Sequence, residues 1–305
     1  MEIRHLKHNE IDINKWNICI RDSFNGIIYG YFWYLDILCS EWEALVLGDY
    51  ESVMPIPVAR KYSIDYIFQP FFTQQLGVFS VSKLSPNIIE KFIQAIPSKY
   101  KYIEQNFNTF NKIESHNYNT KKQITYELDL IEPYENIQKY FSTNTRRNIK
   151  KAYELKLTIS KDISPNQLIS LFRNDKGKEV SILKEKHYEQ LSTLITFSLR
   201  HHLGEIYGVF SKEKYLIAAA FFITSHNKSI FLFSASNEKG KVNRAMFLLI
   251  DQFIKENSEK HLTLDFEGSN ITGLARFYSS FGAKACEYTF LKINKLPWYF
   301  KLFKH

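Results

Sequence analysis

The chain is poor in the residues on which several protein classes depend. Its 305 residues include only 11 glycines, 8 prolines and 3 cysteines. So little glycine and proline excludes collagen-like and linker-rich architectures. Cys19, Cys39 and Cys286 have no metal-ligand spacing and cannot all pair, which argues against a disulfide framework or a zinc cluster and fits a reducing cytoplasm.

Long apolar runs are also missing. Runs such as 216–223 and 246–250 are far shorter than the roughly 20 residues of a membrane-spanning helix. The first ten residues alternate charges and histidines, unlike a secretory signal peptide. We therefore expect a cytoplasmic protein that does not span a membrane.

The composition indicates a large folded core with a basic surface. Apolar residues make up 45% of the chain and charged residues 24%, which excludes disorder over most of its length. Lysine and arginine outnumber the acidic residues by 40 to 32, giving a net charge of +8. This charge favours polyanions or anionic lipids as partners but does not decide the fold.

Helix and strand patterns alternate along the chain, which predicts a mixed α/β protein. In the first half the pattern predicts, in order, a helix capped by Asp12 or Asn14, a hairpin of strands 42–47 and 52–58, a helix from Ser85-Pro86 and a strand at 124–130. In the second half it predicts strands at 203–210, 215–224 and 229–235, one long helix from Val242 to Phe253, a strand at 262–266, a short helix at 274–280 and a strand at 287–293. The repeated order indicates an internal duplication, which we divide into domains 1–138 and 139–305.

The repeated order of elements resembles a known family. Helix, three antiparallel strands, helix, strand, helix, strand is the order of the GNAT acyltransferase domain, and its repetition resembles the tandem FemAB-type peptidyltransferases. Three stretches carry the local similarity: the basic helix 142–152, the strand end Leu264-Asp265-Phe266-Glu267-Gly268, and residues 277–283, in which Gly282 follows Tyr278 by four residues. The resemblance implies an α/β (α+β) fold of two tandem GNAT-like domains, each a mixed, mostly antiparallel sheet flanked by helices.

The resemblance also implies transfer of an acyl or aminoacyl group onto an amine, and it leaves the donor open. GNAT enzymes hold the coenzyme A pyrophosphate on a glycine-containing loop at a helix N-terminus. Here Glu238, Lys241 and Asn243 occupy positions where that loop has Gln or Arg, Gly, and Gly or Ala. FemAB-type enzymes use aminoacyl-tRNA instead. No cofactor is certain, and the donor is either aminoacyl-tRNA or acyl-coenzyme A.

Three residues are candidates for the chemistry. By resemblance, Tyr278 would donate a proton to the leaving atom. Asp265 and Glu267 lie two apart at the end of an apolar strand, so we expect both on one face, where either could accept the proton of the amine. The alternatives are a packing tyrosine and carboxylates that cap a helix or pair with Arg276.

Other residues are candidates for substrate binding. Arg146, Arg147, Lys150 and Lys151 form a basic helical face that could bind phosphates of tRNA, a nucleotide-linked precursor or a lipid headgroup, or could simply be solvated. Arg244 could also contact phosphates.

Two amides and the chain end complete the candidates. Gln74 and Gln75 could orient the acceptor or could satisfy loop backbone groups. The lysine-rich and aromatic stretch 292–305 could touch the inner face of a membrane, or could pack on its domain.

The expected acceptor is a small-molecule or lipid-linked amine, such as a cell-envelope precursor. Two other functions stay open: a coenzyme A-dependent N-acetyltransferase of a small amine or amino sugar, and a GNAT-like module that binds without catalysis.

Overall fold

The structure is a computed structural model that describes residues 2–39, 41–114, 117–178, 180, 182–267 and 271–298. It divides into two compact units. Unit 1 comprises residues 1–124 and 287–305, and unit 2 comprises residues 125–286. The domain boundary at residue 138 stays a prediction.

The elements follow one another in an alternating α/β order. Up to residue 129 they are β1 (Ile3–Leu6), α1 (Ile13–Asp22), α2 (Phe32–Leu38), β2 (Trp42–Leu47), β3 (Ser52–Lys61), β4 (Ile64–Ile67), β5 (Phe79–Ser80), α3 (Pro86–Gln94), β6 (Tyr102–Phe107) and β7 (Asn119–Asp129). After it come α4 (Tyr134–Lys139), α5 (Thr143–Glu154), β8 (Thr158–Ser160), α6 (Pro165–Asn174), α7 (Glu185–Arg200), β9 (Gly204–Phe210), β10 (Leu216–Ser225), β11 (Lys228–Ser236), α8 (Glu238–Val242), α9 (Ala245–Asn257), β12 (Thr263–Asp265), α10 (Thr272–Ser279) and β13 (Lys284–Asn294).

The sheets of the two units follow the same plan. In unit 1 the strand order is β1-β2-β3-β4-β6-β13, and in unit 2 it is β8-β9-β10-β11-β12-β7. In each, four strands pair antiparallel, the fifth pairs parallel with the fourth, and the sixth pairs antiparallel with the fifth. Helices connect the parallel strands, as a parallel crossover requires. The predicted fold class, two tandem mixed and mostly antiparallel sheets flanked by helices, is confirmed.

Local capping explains where two of the predicted helices begin. The Asp12 carboxylate accepts the backbone N–H groups of Asn14 and Lys15, both at 3.0 Å, and starts α1. Ser85 caps α3, and Pro86 occupies its first turn, where a missing N–H costs nothing. Both starts agree with the sequence prediction.

The single long helix predicted from Val242 to Phe253 is wrong. The chain forms α8, leaves helical geometry at Arg244, which has a φ of 60°, and begins again as α9. Val242, an apolar residue at the start of that predicted helix, is 64% exposed. Downstream, Phe253 does enter the core and stacks on Phe222 of β10 with ring centroids 3.9 Å apart.

No helix in the described ranges is both long enough and apolar enough to cross a bilayer. Membrane contact was predicted for the stretch 292–305, and the half of it that follows Trp298 lies outside the described residues.

The close packing of α8 on β10 depends on a glycine, which gives a stability prediction. A Cβ on Gly240 would lie 2.1 Å from the Ile217 carbonyl oxygen, whereas a Cβ on Gly273 in α10 would meet nothing within 4 Å. We expect Gly240→Ala to destabilise unit 2 by more than about 2 kcal/mol, since backbone must move. The control, Gly273→Ala, should be neutral or stabilise by up to about 1 kcal/mol. Urea unfolding measures both, and equal effects would contradict the placement of Gly240.

Candidate functional site

The candidate site begins where two parallel strands of unit 2 stop pairing. Strand β11 pairs with β12 only over Lys228–Ile230, opposite Thr263–Asp265, and then continues to Ser236. Just beyond, the register with β10 shifts, so that Phe231 and Phe233 have successive partners and Leu232 is extra. Such a bulge bends and twists the strand that carries it. Beyond Ile230, β11 therefore no longer pairs with β12, and we call this gap in the strand pairing the opening between β11 and β12.

Aromatic side chains line this opening. Phe231 of β11, Phe266 after β12 and Tyr278 of α10 form what we call the aromatic wedge. The Tyr278 ring stacks on Phe266 at 5.0 Å and meets Phe231 edge-on at 6.3 Å. These contacts fix the orientation of the tyrosine at the place where the strands separate.

The hydroxyl of Tyr278 has no hydrogen-bond partner among the residues that the structure describes, although Tyr278 is only 8% exposed. It makes no hydrogen bond within the described chain, and it is not one of the fully enclosed unpaired atoms there, so it keeps contact with solvent. Burial, and secondarily the Glu267 carboxylate, raise the pKa of Tyr278 well above its ordinary value. The phenol therefore stays protonated at neutral pH and can donate a hydrogen bond to a ligand.

Glu267 lies beyond the end of β12 in a left-handed conformation, with a φ of 55°. It is partly exposed, and its charge acts on Tyr278. The expectation that strand alternation places Asp265 and Glu267 on one face is wrong, because the strand ends at Asp265. The two carboxylates instead have different surroundings.

Asp265 is buried, with 1% exposure, inside a polar network. Its Oδ1 accepts the Thr125 hydroxyl at 2.5 Å and the Glu267 N–H at 2.9 Å, and its Oδ2 lies 3.5 Å from Lys228 Nζ. Burial raises the pKa of Asp265, and the Lys228 charge limits that rise. Its partners are therefore Thr125, Glu267 and Lys228, and not the Arg276 considered from the sequence.

Lys228 balances two carboxylates at once. Asp265 and Glu127 are opposite each other in the β12–β7 register, and Lys228 Nζ lies 2.5 Å from Glu127 Oε1. Burial alone would lower the pKa of Lys228, but the Asp265 and Glu127 charges outweigh it and raise the pKa. Burial, and secondarily Glu127, raise the pKa of the Cys286 thiol to about 11, so this cysteine is not a thiolate.

Comparison with solved structures identifies the fold. FemX superimposes with a TM-score of 0.69, covering 100% of both chains at 13% identity. The chain has the FemX fold. L-PGS from Bacillus licheniformis matches with a TM-score of 0.56 and 13% identity over 96% of this chain and 95% of its own. A GNAT-family acetyltransferase from Colwellia psychrerythraea matches with a TM-score of 0.54 and 9% identity over 96% and 100%.

The resemblance inferred from the sequence is thus confirmed for the fold, while identities this low leave the reaction open. No protein-family model and no curated protein sequence matches the chain.

Within this FemX fold, the predicted basic helix α5 is attached directly to the helix that carries Tyr278. The Ser142 N–H donates to the Ser280 carbonyl at 2.8 Å, and the hydroxyls of Thr145 and Ser280 lie 2.7 Å apart. The four cations of α5 are exposed and form no ion pair within the described chain; they are Arg146, Arg147, Lys150 and Lys151. An uncompensated basic surface therefore adjoins α10.

The loop around α8 is built differently. Its lysines are already neutralised, Lys239 by Glu213 at 2.5 Å and Lys241 by Glu238 at 2.6 Å. Arg244 is exposed, and its guanidinium donates to the Lys241 carbonyl at 3.2 Å. This arrangement offers a phosphate fewer free cations than α5 does.

Gln74 and Gln75, in unit 1, bind each other and the neighbouring backbone. Gln75 donates to Gln74 Oε1 at 2.7 Å, and its own Oε1 accepts the Thr109 N–H at 3.1 Å. The Gln74 carbonyl accepts the Asn106 amide at 2.8 Å. These contacts fit the structural alternative considered from the sequence.

Two surface cavities lie elsewhere, of about 450 Å³ on α7 and about 400 Å³ around Glu43, Lys99 and Tyr100. Neither includes Tyr278, Asp265 or Glu267.

Removing the buried cation should be costly. Lys228→Met would leave Glu127 and Asp265 facing each other without compensation, and we expect a loss of about 3–5 kcal/mol in the free energy of unfolding. The control Lys239→Met breaks an exposed pair and should cost less than about 1 kcal/mol. Because the pKa of Lys228 is raised, its contribution is complete at neutral pH and is lost only as the pH rises through that folded-state pKa. Urea titrations of both variants at pH 7 check this, and equal losses would contradict it.

Proposed function

We propose that the chain is an acyltransferase that moves an acyl or aminoacyl group onto an amine at the aromatic wedge. The observation that carries the proposal is the Tyr278 hydroxyl, which is buried, protonated and without a described partner at the opening between β11 and β12. A phenol that is held by packing and still reaches solvent can donate its hydrogen bond to a ligand in place of water. The FemX fold supports the reaction class.

The reaction assigns a role to each neighbouring group. The nitrogen of the acceptor forms a bond to the acyl carbonyl carbon, and the bond from that carbon to the leaving oxygen or sulfur breaks. The Glu267 carboxylate takes the proton that the ammonium loses before attack, and Tyr278 donates a proton to the leaving atom. The second proton, which the nitrogen loses as it becomes an amide nitrogen, passes to the Tyr278 phenolate and restores the phenol. Because an activated ester or thioester is already reactive, holding the amine close to it supplies much of the rate.

The charges favour a polyanionic donor over acyl-coenzyme A. The unpaired cations of α5 adjoin α10, whereas the lysines of the α8 loop are occupied by acidic side chains. A tRNA offers many phosphates to such a surface, and binding would weaken steeply with salt. We therefore propose aminoacyl-tRNA as the donor, with Arg146, Arg147, Lys150 and Arg244 on its phosphates.

The acceptor is proposed as an amine of a cell-envelope precursor, either soluble or lipid-linked. The proposal rests on the resemblance to FemAB-type enzymes, and Gln74 and Gln75 have no demonstrated part in it.

Ligand-dependent thermal stability distinguishes the donors. A ligand at 100 times its Kd stabilises the folded protein by about 2.7 kcal/mol. We expect aminoacyl-tRNA and a peptidoglycan precursor to raise the Tm, and acetyl-coenzyme A to have no effect. Uncharged tRNA is the control for nonspecific phosphate binding. Stabilisation by acetyl-coenzyme A alone would overturn the donor assignment, and no shift with any ligand would favour a protein that lacks this activity.

Removing the phenol should separate activity from stability. Tyr278→Phe deletes a hydroxyl that bonds nothing in the described chain, so stability should be unchanged, while transfer should fall by roughly 10²–10⁴-fold. The control Tyr207→Phe removes a buried hydroxyl that donates to Glu256 at 2.7 Å, which should cost about 1–3 kcal/mol and leave transfer intact. Turnover and urea unfolding of both variants test this. Normal turnover of Tyr278→Phe would exclude its catalytic role.

A further inference from the structure

The polar network beneath the wedge is arranged around one backbone group. The Asp265 carboxylate accepts a hydrogen bond from the Thr125 hydroxyl of β7 and forms an ion pair with Lys228 of β11. Its remaining described contact is the hydrogen bond from the Glu267 N–H. Thr125 is 0% exposed and Asp265 1%. A charge buried this deeply is costly unless hydrogen bonds and a counter-ion compensate it.

Glu267 needs that support because of its backbone. A residue other than glycine with a φ of 55° occupies the sparsely populated left-handed region of backbone conformation. Such residues persist only where the surrounding structure holds them. The Asp265 carboxylate, fixed by Thr125 and Lys228, holds the Glu267 N–H at 2.9 Å. Phe266, the residue before Glu267, stacks on Tyr278.

We propose that Thr125, Asp265 and Lys228 are positioning residues, which hold Glu267 beside Tyr278 so that the two can act on one acyl transfer. The inference rests on the proposed function. It gives Asp265 a role different from proton acceptance: its carboxylate orients Glu267 through the backbone and does not touch the substrate. Lys228 opposes the rise in the pKa of Asp265 that burial and the neighbouring Glu127 cause.

The Thr125 hydroxyl allows a test with little change in shape. Thr125→Val removes one of the hydrogen bonds that fix Asp265, and Thr125→Ser keeps it. The control Thr224→Val removes a hydroxyl that donates to Ser229 at 3.0 Å in the same unit. We expect Thr125→Val to lower kcat roughly tenfold with little change in KM, because Glu267 loses its orientation while binding groups stay. Thr125→Ser should restore kcat, and Thr224→Val should not lower it.

A second measurement needs no substrate. Hydrogen exchange of the Glu267 amide reports directly on its bond to Asp265, and we expect exchange to be roughly tenfold faster in Thr125→Val than in Thr224→Val. Unchanged exchange overturns the positioning role, whether or not the protein transfers acyl groups. Faster exchange with an unchanged kcat would show that the network holds Glu267 but that this does not affect the rate of transfer. If the wild-type chain transfers nothing, the proposed function fails, and the exchange result still decides whether the network holds Glu267.

Discussion

Where two parallel strands separate, their backbone N–H and C=O groups are left at an edge without partners from the other strand. The chain must then fill the gap between the two strands. In unit 2 the separation follows Ile230 and Asp265, where the bulge at Leu232 bends β11 away. Side chains fill the gap: Phe231, Phe266 and Tyr278 pack there. Because the filling is done by side chains, one polar atom, the Tyr278 hydroxyl, is left facing an opening. The candidate chemistry depends on that separation.

The same separation in unit 1 is closed by backbone. Strands β4 and β6 pair in parallel only at Ile67 and Ile103, but Leu76 then pairs with Phe107 on β6, and its N–H donates to the Asn106 carbonyl at 2.8 Å. In unit 1, main chain therefore occupies the edge where the strands separate. In unit 2, the Tyr278 phenol lies at the corresponding edge. Gln75, buried at 1% exposure, helps to fix that segment. The duplicated plan thus provides an opening in one copy and a closed edge in the other.

Local pattern predicted much of the fold but only part of the candidate site. Strand alternation and the capping residues Asp12 and Ser85 act over a few positions, so they can be read directly from the sequence. The break at Arg244 could not, because a left-handed arginine has no sequence signature. Lys228 was missed for another reason: its partner Glu127 is distant in sequence, and only the strand order brings them together. Tyr278 was proposed through resemblance and Glu267 through its place at a strand end, while the contrast with Asp265 required burial and hydrogen bonds.

The distribution of charge follows from the same strand order. A lysine beside carboxylates is compensated, as Lys228 is inside the sheet and Lys239 on the surface. The cations of α5 form no ion pair in the described structure, and the opposite face of this helix packs Ile149 and Ala152 into the core. Those charges therefore act outward, into solvent. Uncompensated positive charge that is concentrated beside the opening raises the local concentration of anionic ligands. The same net charge spread evenly over the surface would raise it far less.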